Sequence, residues 1–363
     1  MVKRVVLVIS SLSPGGTERA LSLMANYLAI TGWAVTILTF DDGTQPPFFD
    51  LDVAIQYRPL GIRRDSSNIV GALWNNLRRI AILRTAVHQS RPEVVVSFGD
   101  KTNVVTVLAT RGLGFKVIVS ERTDPHAHRI GWLWDGLRWW TYARADRIVV
   151  QSQAALSYFL PKFHKSATVI PNPVAMPPAL YCERGTGFSP SSIIAVGRFS
   201  REKRFDLLLR AFARLTTLHP EWTLTIVGEG PLRSELEYLR DSLNLAGRVS
   251  MPGHVKNVYA YLAHAALFVM TSEFEGFPNA LCEAMACGLP VVCVDCPGGI
   301  RDIIKSGDNG VLVQRDNLEA FAESMHWLMS NATERQRLGL CAMEVSSVFS
   351  VEKVMRMWEE VVQ

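Results

Sequence analysis

The chain has 363 residues, of which 48% are hydrophobic, and this length and composition suit two globular domains better than one. No apolar run approaches the ~20 residues that cross a bilayer, and the first run is too short for a secretory signal, so we expect a cytoplasmic protein. The six cysteines suggest no disulfide framework and are expected to be packing residues.

The net charge of +4 is unevenly distributed along the chain. Residues 1–190 carry 21 Lys and Arg against 13 Asp and Glu, whereas the remainder carries 17 against 21. A basic first half indicates an anionic partner, and a phosphorylated acceptor, an acidic lipid surface and nucleic acid all have the required charge. Charge alone does not distinguish among these three partners.

Apolar, β-branched runs alternate with helical patterns along the first half of the chain. The runs read RVVLVIS, AVTILTF, EVVVSF, KVIVS and RIVVQS, and a helical pattern over residues 17–31 follows the first of them. This alternation predicts a parallel sheet covered by helices. Prolines and glycines then interrupt all periodicity, and they predict a linker over residues 171–191.

The same rhythm restarts after the linker with IIAVG, LTIVG, VSMPG, LFVMTS and PVVCV as strands. Helices are expected over residues 204–218 and 279–287 and from Pro231 and Val255. The sequence therefore predicts two doubly wound, Rossmann-like α/β domains, residues 1–170 and 192–346, with the ligand site in a cleft at the carboxyl ends of their strands. A final amphipathic helix within residues 347–363 either covers its own domain or packs back on the first one.

The first strand-to-helix turn carries two glycines, Gly15 and Gly16. Glycines between a strand and a helix leave backbone amides open to an anion, which predicts a phosphate-binding turn. The turn lacks the full Gly-x-Gly-x-x-Gly spacing and the lysine of a P-loop, so a purely structural turn is the alternative.

Two cations follow the first strand of the second domain, in the segment AVGRFSREKRFDLLL. Arg198 and Lys203 stand five positions apart, and a forked guanidinium with a mobile ammonium suits a diphosphate. Solvated surface charge is the alternative, but cations at a helix start oppose the helix dipole.

The segment TSEFEGFPNALCEAMACGLPVV carries two carboxylates, Glu275 in a loop and Glu283 in a helix. A carboxylate behind such a turn accepts hydrogen bonds from a vicinal diol, which assigns Glu283 to a nucleotide ribose and Glu275 to sugar hydroxyls. A buried salt bridge is the alternative for either. The turn between them begins a helix at Pro278 and is expected to hold a phosphate through Gly276, Phe277, Asn279 and Ala280.

These motifs, together with the PNP at residues 171–173, resemble glycosyltransferase family 4, the retaining nucleotide-sugar enzymes of GT-B architecture, over the whole chain. The resemblance implies Arg198 and Lys203 on the donor diphosphate, Glu275 at the transferred sugar, Glu283 on the ribose and Gly16 close to the diphosphate. It also implies no metal ion and a front-face reaction in which the leaving phosphate assists, because no opposed carboxylate pair is identifiable.

One position departs from the family pattern. Many members carry a His after the strand that corresponds to KVIVS, whereas this chain reads SERTDPHAHR with Arg122 in that place. Arg122 or His126 is predicted to replace the His, and a similar SER sequence occurs in members that resemble enzymes of bacterial surface glycans. The missing His leaves a non-catalytic, nucleotide-sugar-binding partner subunit as the alternative function.

Contacts with the donor base are expected at His254, Val255 and Lys256.

The stretch IGWLWDGLRWWTYARADR concentrates aromatic and basic side chains. It holds Trp132, Trp134, Trp139 and Trp140, and beside them Arg129, Arg138, Arg144 and Arg147. Trp with Arg suits the headgroup layer of an anionic membrane, with a buried core helix as the alternative. With the basic first half, this predicts an enzyme that adds a hexose or N-acetylhexosamine from a UDP-sugar to a lipid-linked glycan acceptor, in peripheral contact with the inner face of the cytoplasmic membrane. Nucleic-acid binding lacks any supporting motif.

Overall fold

A computed structural model describes residues 2–63, 69–164, 166–177 and 191–363 of the protein. The chain divides into two compact units, Met1–Pro173 with Val351–Gln363 and Val174–Ser350. Most of the predicted linker, including Cys182, lies outside the described residues. Among the residues that are described, no helix is both long and apolar enough to cross a membrane.

The first unit is built on a parallel sheet of seven strands in the order β3-β2-β1-β4-β5-β6-β7. The strands are β1 (Arg4–Ile9), β2 (Ala34–Thr39), β3 (Gln56–Pro59), β4 (Val94–Phe98), β5 (Lys116–Ser120), β6 (Arg147–Val150) and β7 (Ala167–Val169). The helices are α1 (Gly16–Ile30), α2 (Ile69–Ser90), α3 (Asp100–Thr110), α4 (Trp132–Tyr142) and α5 (Gln153–Phe163).

Both faces of this sheet are covered, which explains why its strands read as continuous apolar runs. Along β1, Val5, Leu7 and Ile9 pack with α1 on one face, whereas Val6 and Val8 pack with α2 and α3 on the other. The alternation follows from the two-residue period of a strand.

The second unit holds a parallel sheet of six strands in the order β10-β9-β8-β11-β12-β13. The strands are β8 (Ser192–Val196), β9 (Thr223–Val227), β10 (Val249–Gly253), β11 (Leu267–Met270), β12 (Val291–Val294) and β13 (Val311–Val313). The helices are α6 (Phe205–Leu215), α7 (Arg233–Ser242), α8 (Val258–Ala263), α9 (Asn279–Ala286), α10 (Leu318–Ser330), α11 (Ala332–Ala342) and α12 (Val345–Val348).

The last helix, α13 (Val351–Val362), belongs to the first unit. Its apolar stripe is buried with α1 and the central strands, and the ring of Trp358 lies 5.9 Å from that of Phe98, centroid to centroid. The amphipathic pattern of this segment therefore serves the core of the first unit.

The strand order places a topological switch point in each sheet, between β1 and β4 and between β8 and β11. Ligands of open α/β sheets bind outside the carboxyl ends of the strands at such a point. The loops after β8 and β11 hold three of the charged residues that the sequence singled out.

The structure differs from the sequence-based expectations in a few elements. The sequence does not predict helix α2, because Gly71 and two adjacent asparagines weaken its helical pattern. It does not predict the strands β3, β7 and β13 either, because three or four residues are too few to show a two-residue hydrophobic period. Cys282, Cys293 and Cys296 are buried as packing residues, but Cys341 is exposed on α11, so the packing prediction is wrong for it.

Candidate active site

An ion pair spans the switch point of the second unit. Lys203 ends a short 3-10 turn after β8, Glu275 lies in the loop after β11, and Lys203 Nζ is 2.5 Å from Glu275 Oε1. The side chains are 22% and 11% exposed, so the pair is accessible but partly desolvated. The structure thus joins two predicted site residues that are 72 positions apart.

Glu275 is held by both its side chain and its backbone. Ser272 Oγ donates to Glu275 Oε1 at 2.6 Å, and the Glu275 amide donates to the Pro297 carbonyl at 3.0 Å. Gly298 has φ +113°, and a Cβ there would lie 1.6 Å from the Glu275 carbonyl oxygen, so only glycine fits. Glu275 Oε2 accepts no hydrogen bond from any described residue, which leaves this oxygen available to a ligand.

The backbone of the 3-10 turn is tied to the loop after β11. Thr271 Oγ1 donates to the Lys203 carbonyl at 2.8 Å, and the Glu273 amide donates to the Glu202 carbonyl at 2.7 Å. Gly197 lies beside the Lys203 stem, where a Cβ would come within 3.4 Å of Lys203 Cδ. These contacts fix the position from which the ammonium extends.

Arg198 is exposed at the end of β8 and makes no ion pair with the part of the chain that the structure describes. Its backbone is closely packed against the loop after β9. A Cβ at Gly228 would lie 1.9 Å from the Gly197 carbonyl oxygen, and one at Gly230 would lie 2.5 Å from the Phe199 carbonyl oxygen. Sequence reasoning missed this Gly-Glu-Gly segment, although its repeated glycines were the available signal. A firmly held loop therefore presents an unpaired guanidinium.

The turn before α9 is more occupied than the sequence suggested. The Asn279 amide donates to the Phe277 carbonyl at 3.0 Å, so this amide is not open to a phosphate in this structure. Phe277 is buried, with its ring 5.5 Å from that of Phe349, whereas Gly276 and Ala280 are partly accessible. Glu283 is buried within α9, and it contributes with burial to raising the pKa of the neighbouring Cys282 thiol.

The residues expected to contact the base follow β10 at the same edge of the sheet. His254 and Lys256 are exposed, whereas Val255 is half-buried and packs against the core of the second unit. Their side chains are thus at the edge where Arg198 and Lys203 emerge.

In the first unit, the glycine turn faces an acidic side chain of its own helix. Helix α1 begins at Gly16, and a Cβ at Gly15 would lie 2.1 Å from Glu18 Oε2. Burial raises the pKa of Glu18, although a hydrogen bond from its own amide and the charge of Arg122 oppose this rise. The expected open anion site therefore holds the Glu18 carboxylate, because an acid in the first helical turn is attracted by the same amides.

The two candidates for the missing His lie in different surroundings. Arg122 is buried, donates from Nη1 to Asn172 Oδ1 at 2.7 Å, and places its guanidinium 4.5 Å from the Phe98 ring centroid. Burial lowers the pKa of Arg122 to about 9, with Glu18 opposing the shift. His126 is exposed, and its Nε2 lies 3.2 Å from Ser157 Oγ on α5.

A buried polar cluster next to Arg122 escaped the sequence analysis. Tyr142 Oη donates to Glu121 Oε2 at 2.8 Å, Asn103 Nδ2 donates to Tyr142 Oη at 2.8 Å, and Arg138 Nη1 lies 3.7 Å from the same carboxylate. Burial raises the pKa of Glu121 to about 7, while Arg138 opposes this rise. These four residues come from helices α3 and α4 and from the residue after β5, so no local sequence pattern predicts the cluster.

The cluster corrects part of the membrane-facing prediction. Arg138 is only 1% exposed and donates to Asp135 Oδ1 at 2.7 Å, so it does not belong to a solvent-facing basic group. Trp139 stacks on Tyr158 at a centroid distance of 5.0 Å and is half-buried. Trp134 is also half-buried, because it packs into the core around α3. Trp132 and Trp140 remain exposed.

Two family models match the chain. The model described as Glycosyl transferase 4-like domain matches residues 15–173, and the model described as Glycosyl transferases group 1 matches residues 189–343. The chain belongs to the GT4-like glycosyltransferases of GT-B fold. It is therefore a transferase, and these matches do not favour the alternative of a non-catalytic partner subunit.

Similar proteins extend over nearly the whole chain. One relative is the GalNAc-alpha-(1->4)-GalNAc-alpha-(1->3)-diNAcBac-PP-undecaprenol alpha-1,4-N-acetyl-D-galactosaminyltransferase of Campylobacter jejuni. It is 27% identical to this chain, and the aligned region covers 98% of this chain and 97% of the relative. The amylovoran biosynthesis glycosyltransferase AmsD of Erwinia amylovora is 25% identical, with 99% of each chain covered. A structure of S. aureus TarM that contains UDP has a TM-score of 0.84 at 14% identity, with 100% of each chain covered, which shows the shared fold.

Proposed function

We propose that this glycosyltransferase moves a hexose or an N-acetylhexosamine from a UDP-sugar to a lipid-linked glycan acceptor, with retention at the anomeric carbon. The observation that carries the proposal is the Lys203–Glu275 pair beside the unpaired Arg198, at the switch point of the second unit. The undecaprenol-linked acceptor in the name of the Campylobacter relative and the UDP in the TarM structure support the acceptor and donor classes.

The two cations suit a leaving diphosphate. As the bond between the anomeric carbon and the phosphate oxygen breaks, negative charge grows on the diphosphate, and a guanidinium and an ammonium held in advance stabilise that charge. Arg198 is unpaired and Lys203 has donors beyond the one used on Glu275, so both can bind phosphate oxygens. No metal ion is needed in this proposal, because the side chains supply the positive charge.

Glu275 is proposed to position the transferred sugar. Lys203 and Ser272 both occupy Oε1, which leaves Oε2 to accept a hydrogen bond from a sugar hydroxyl. In the front-face reaction, the acceptor oxygen bonds to the anomeric carbon on the side from which the diphosphate leaves. The acceptor proton then passes to the departing phosphate oxygen, so atoms and charges balance without a covalent enzyme intermediate.

The remaining predicted contacts complete the proposed donor site. Glu283 is proposed for the ribose, Gly276 and Ala280 for the phosphates, and the residues after β10 for the base. A lipid-linked acceptor would also require the enzyme to work in peripheral contact with a membrane, and we propose its inner cytoplasmic face.

The test begins with the melting temperature of the purified protein in a panel of nucleotide sugars, because a ligand of the folded state raises it. One UDP-sugar is expected to raise it most. Transfer of that sugar to an undecaprenyl-diphosphate-linked glycan is then measured for Lys203→Ala and Glu275→Ala. Matched controls are Arg210→Ala and Glu323→Ala, which change exposed charges on α6 and α10.

The outcomes separate the parts of the proposal. Both site variants should lose transfer, while Glu275→Ala should still bind UDP because its carboxylate contacts the sugar. Transfer by either variant at the wild-type rate would overturn the assigned site. Stabilisation by a nucleotide sugar with another base, and none by UDP-sugars, would overturn the donor class. Slow hydrolysis of the donor without acceptor would argue directly for turnover.

A further inference from the structure

Helix α4 presents an apolar strip to solvent. Trp132, Leu133, Leu137 and Trp140 are all exposed, with Trp132 81% accessible. At 3.6 residues per turn these four positions lie within ~140° of arc, on one face of the helix. The opposite face holds Arg138, Thr141 and Tyr142, which are buried. The helix therefore has one buried face and one exposed apolar face, and packing within the unit explains only the buried one.

A second strip lies on the same layer of helices. Leu73, Trp74 and Leu77 are exposed in the amino-terminal half of α2, with Trp74 69% accessible. Helices α2 and α4 both pack against α3, so the three helices cover one face of the sheet. Their outer surface therefore combines two strips of large apolar side chains, which monomeric proteins seldom expose together.

The three helices behind this surface carry little negative charge. Helix α2 contains no Asp or Glu, and α3 and α4 contain one each. Asp100 of α3 lies 3.3 Å from His128 Nε2, and Asp135 of α4 accepts from Arg138 at 2.7 Å. Both acidic side chains are thus engaged with basic partners of their own unit.

Basic side chains surround the aromatic ones. The guanidinium of Arg144 lies 3.8 Å from the Trp140 ring centroid, and that of Arg111 lies 5.7 Å from it. Lys101 Nζ lies 5.7 Å from the ring centroid of Trp134. The exposed aromatic strip is therefore edged by cations that come from α3 and from the loops after α3 and α4.

We infer that the outer surface of α2 and α4 docks on the headgroup layer of an anionic bilayer. Trp74, Trp132 and Trp140 insert at the interface, where an amphipathic ring has both apolar and polar surroundings, and Arg111 and Arg144 meet the lipid phosphates. The biological purpose of this docking rests on the proposed function, in which the acceptor is lipid-linked. The docking itself requires no sugar transfer.

A second copy of the chain fits this surface less well. A two-fold contact would place the same patch of each copy against the other, so Arg111 and Arg144 would face arginines instead of acids. Like charges across an interface oppose association, whereas an anionic bilayer supplies the missing counter-charge. Charge complementarity therefore selects the membrane as the occupant.

The test is flotation of the purified full-length protein with vesicles of phosphatidylcholine alone or with phosphatidylglycerol added. Wild type should float with the anionic vesicles and less with the neutral ones, and added salt should weaken binding. The double variant Trp132→Ala with Trp140→Ala should reduce the bound fraction ~10-fold or more. Trp327→Ala is the matched control, because Trp327 is 41% exposed on α10 of the other unit.

Several results would overturn the inference. These are flotation of the double variant like wild type, equal flotation on neutral and anionic vesicles, no flotation at all, and a dimer in light scattering that the double variant abolishes. The melting-temperature shift with nucleotide sugars is measured on the same samples. A double variant that loses vesicle binding but keeps this shift supports the docking surface. Vesicle binding without any nucleotide-sugar shift would defeat the proposed function and leave the docking surface standing.

Discussion

The two sheets carry charged residues at corresponding edges but in different surroundings. After β5 in the first unit, Glu121 is 1% exposed and is closed in by Tyr142 and Arg138. After β8 and β11 in the second unit, Lys203 and Glu275 are partly accessible and Arg198 is exposed. Both sheets have the same strand order around the switch point, so topology does not cause the difference.

The difference separates structural from chemical roles for charge. Removing one partner of a buried pair leaves an uncompensated charge in the interior, so such a pair mainly affects folding. A partly exposed pair at a switch point loses little by separating when a ligand arrives, so it can exchange a protein partner for a phosphate or a hydroxyl. Variants in the two units should therefore fail in different assays.

The largest effect is expected for Arg138→Ala, which leaves the Glu121 carboxylate buried without its cation. We expect the free energy of unfolding to fall by about 3–5 kcal/mol, measured by urea denaturation at pH 8. Arg147→Ala, at an exposed position after α4, is the control and should change it little. Adding Glu121→Gln to Arg138→Ala should restore part of the loss, and equal stability of the Arg138 and Arg147 variants would refute the structural role.

Lys203→Ala should affect the chemistry instead of the fold. Loss of a positioned charge at a leaving group lowers kcat/KM by about 10²–10³-fold, whereas unfolding should become easier by less than about 1 kcal/mol because the pair is partly exposed. Transfer kinetics and urea denaturation on the same preparation measure both. A loss of stability that matched the loss of activity would erase the contrast between the two units.

The pH dependence of stability should identify Glu121. Its pKa is about 7 in the folded chain against 4.5 for the ordinary group, so the folded state keeps a proton that the unfolded state has lost. The stabilisation is complete below about pH 4.5 and disappears as the pH rises through 7, a fall of up to roughly 3 kcal/mol. The free energy of unfolding of the Glu121→Gln variant should change little between pH 5 and 7.5. If the variant instead keeps the wild-type dependence on pH, another titrating group causes that dependence.

The smallest effect is expected for Ser272→Ala, which removes one of the two donors to Glu275 Oε1. A hydrogen bond of about 1 kcal/mol corresponds to a fall in kcat of roughly 5–10-fold. The control is Ser346→Ala, which removes a hydroxyl that bonds only the local Met343 carbonyl at 2.7 Å. If both serine variants transfer sugar at the wild-type rate, Ser272 does not orient the carboxylate.

The sequence was informative where the signal is local. Apolar runs with a two-residue period and amphipathic stretches predicted two parallel α/β domains, and glycines, cations and carboxylates at strand ends marked Arg198, Lys203, Glu275 and Glu283. It was less informative for α2, whose helical signal is weak, and for Glu18, whose carboxylate lies over the glycine turn. It also grouped Arg138 with solvent-facing arginines, because burial cannot be read from a side chain's charge.

The sequence by itself thus determined the class of fold, the two-domain plan and most of the residues proposed for the donor site. Only the tertiary structure decided that Lys203 pairs with Glu275, that Arg122 is buried against Phe98 while His126 is exposed beside Ser157 of α5, and that Arg138 turns inward. The reason is physical. A parallel sheet is assembled from strands far apart in sequence, so local periodicity shows that an element exists but not which side chains meet at its end.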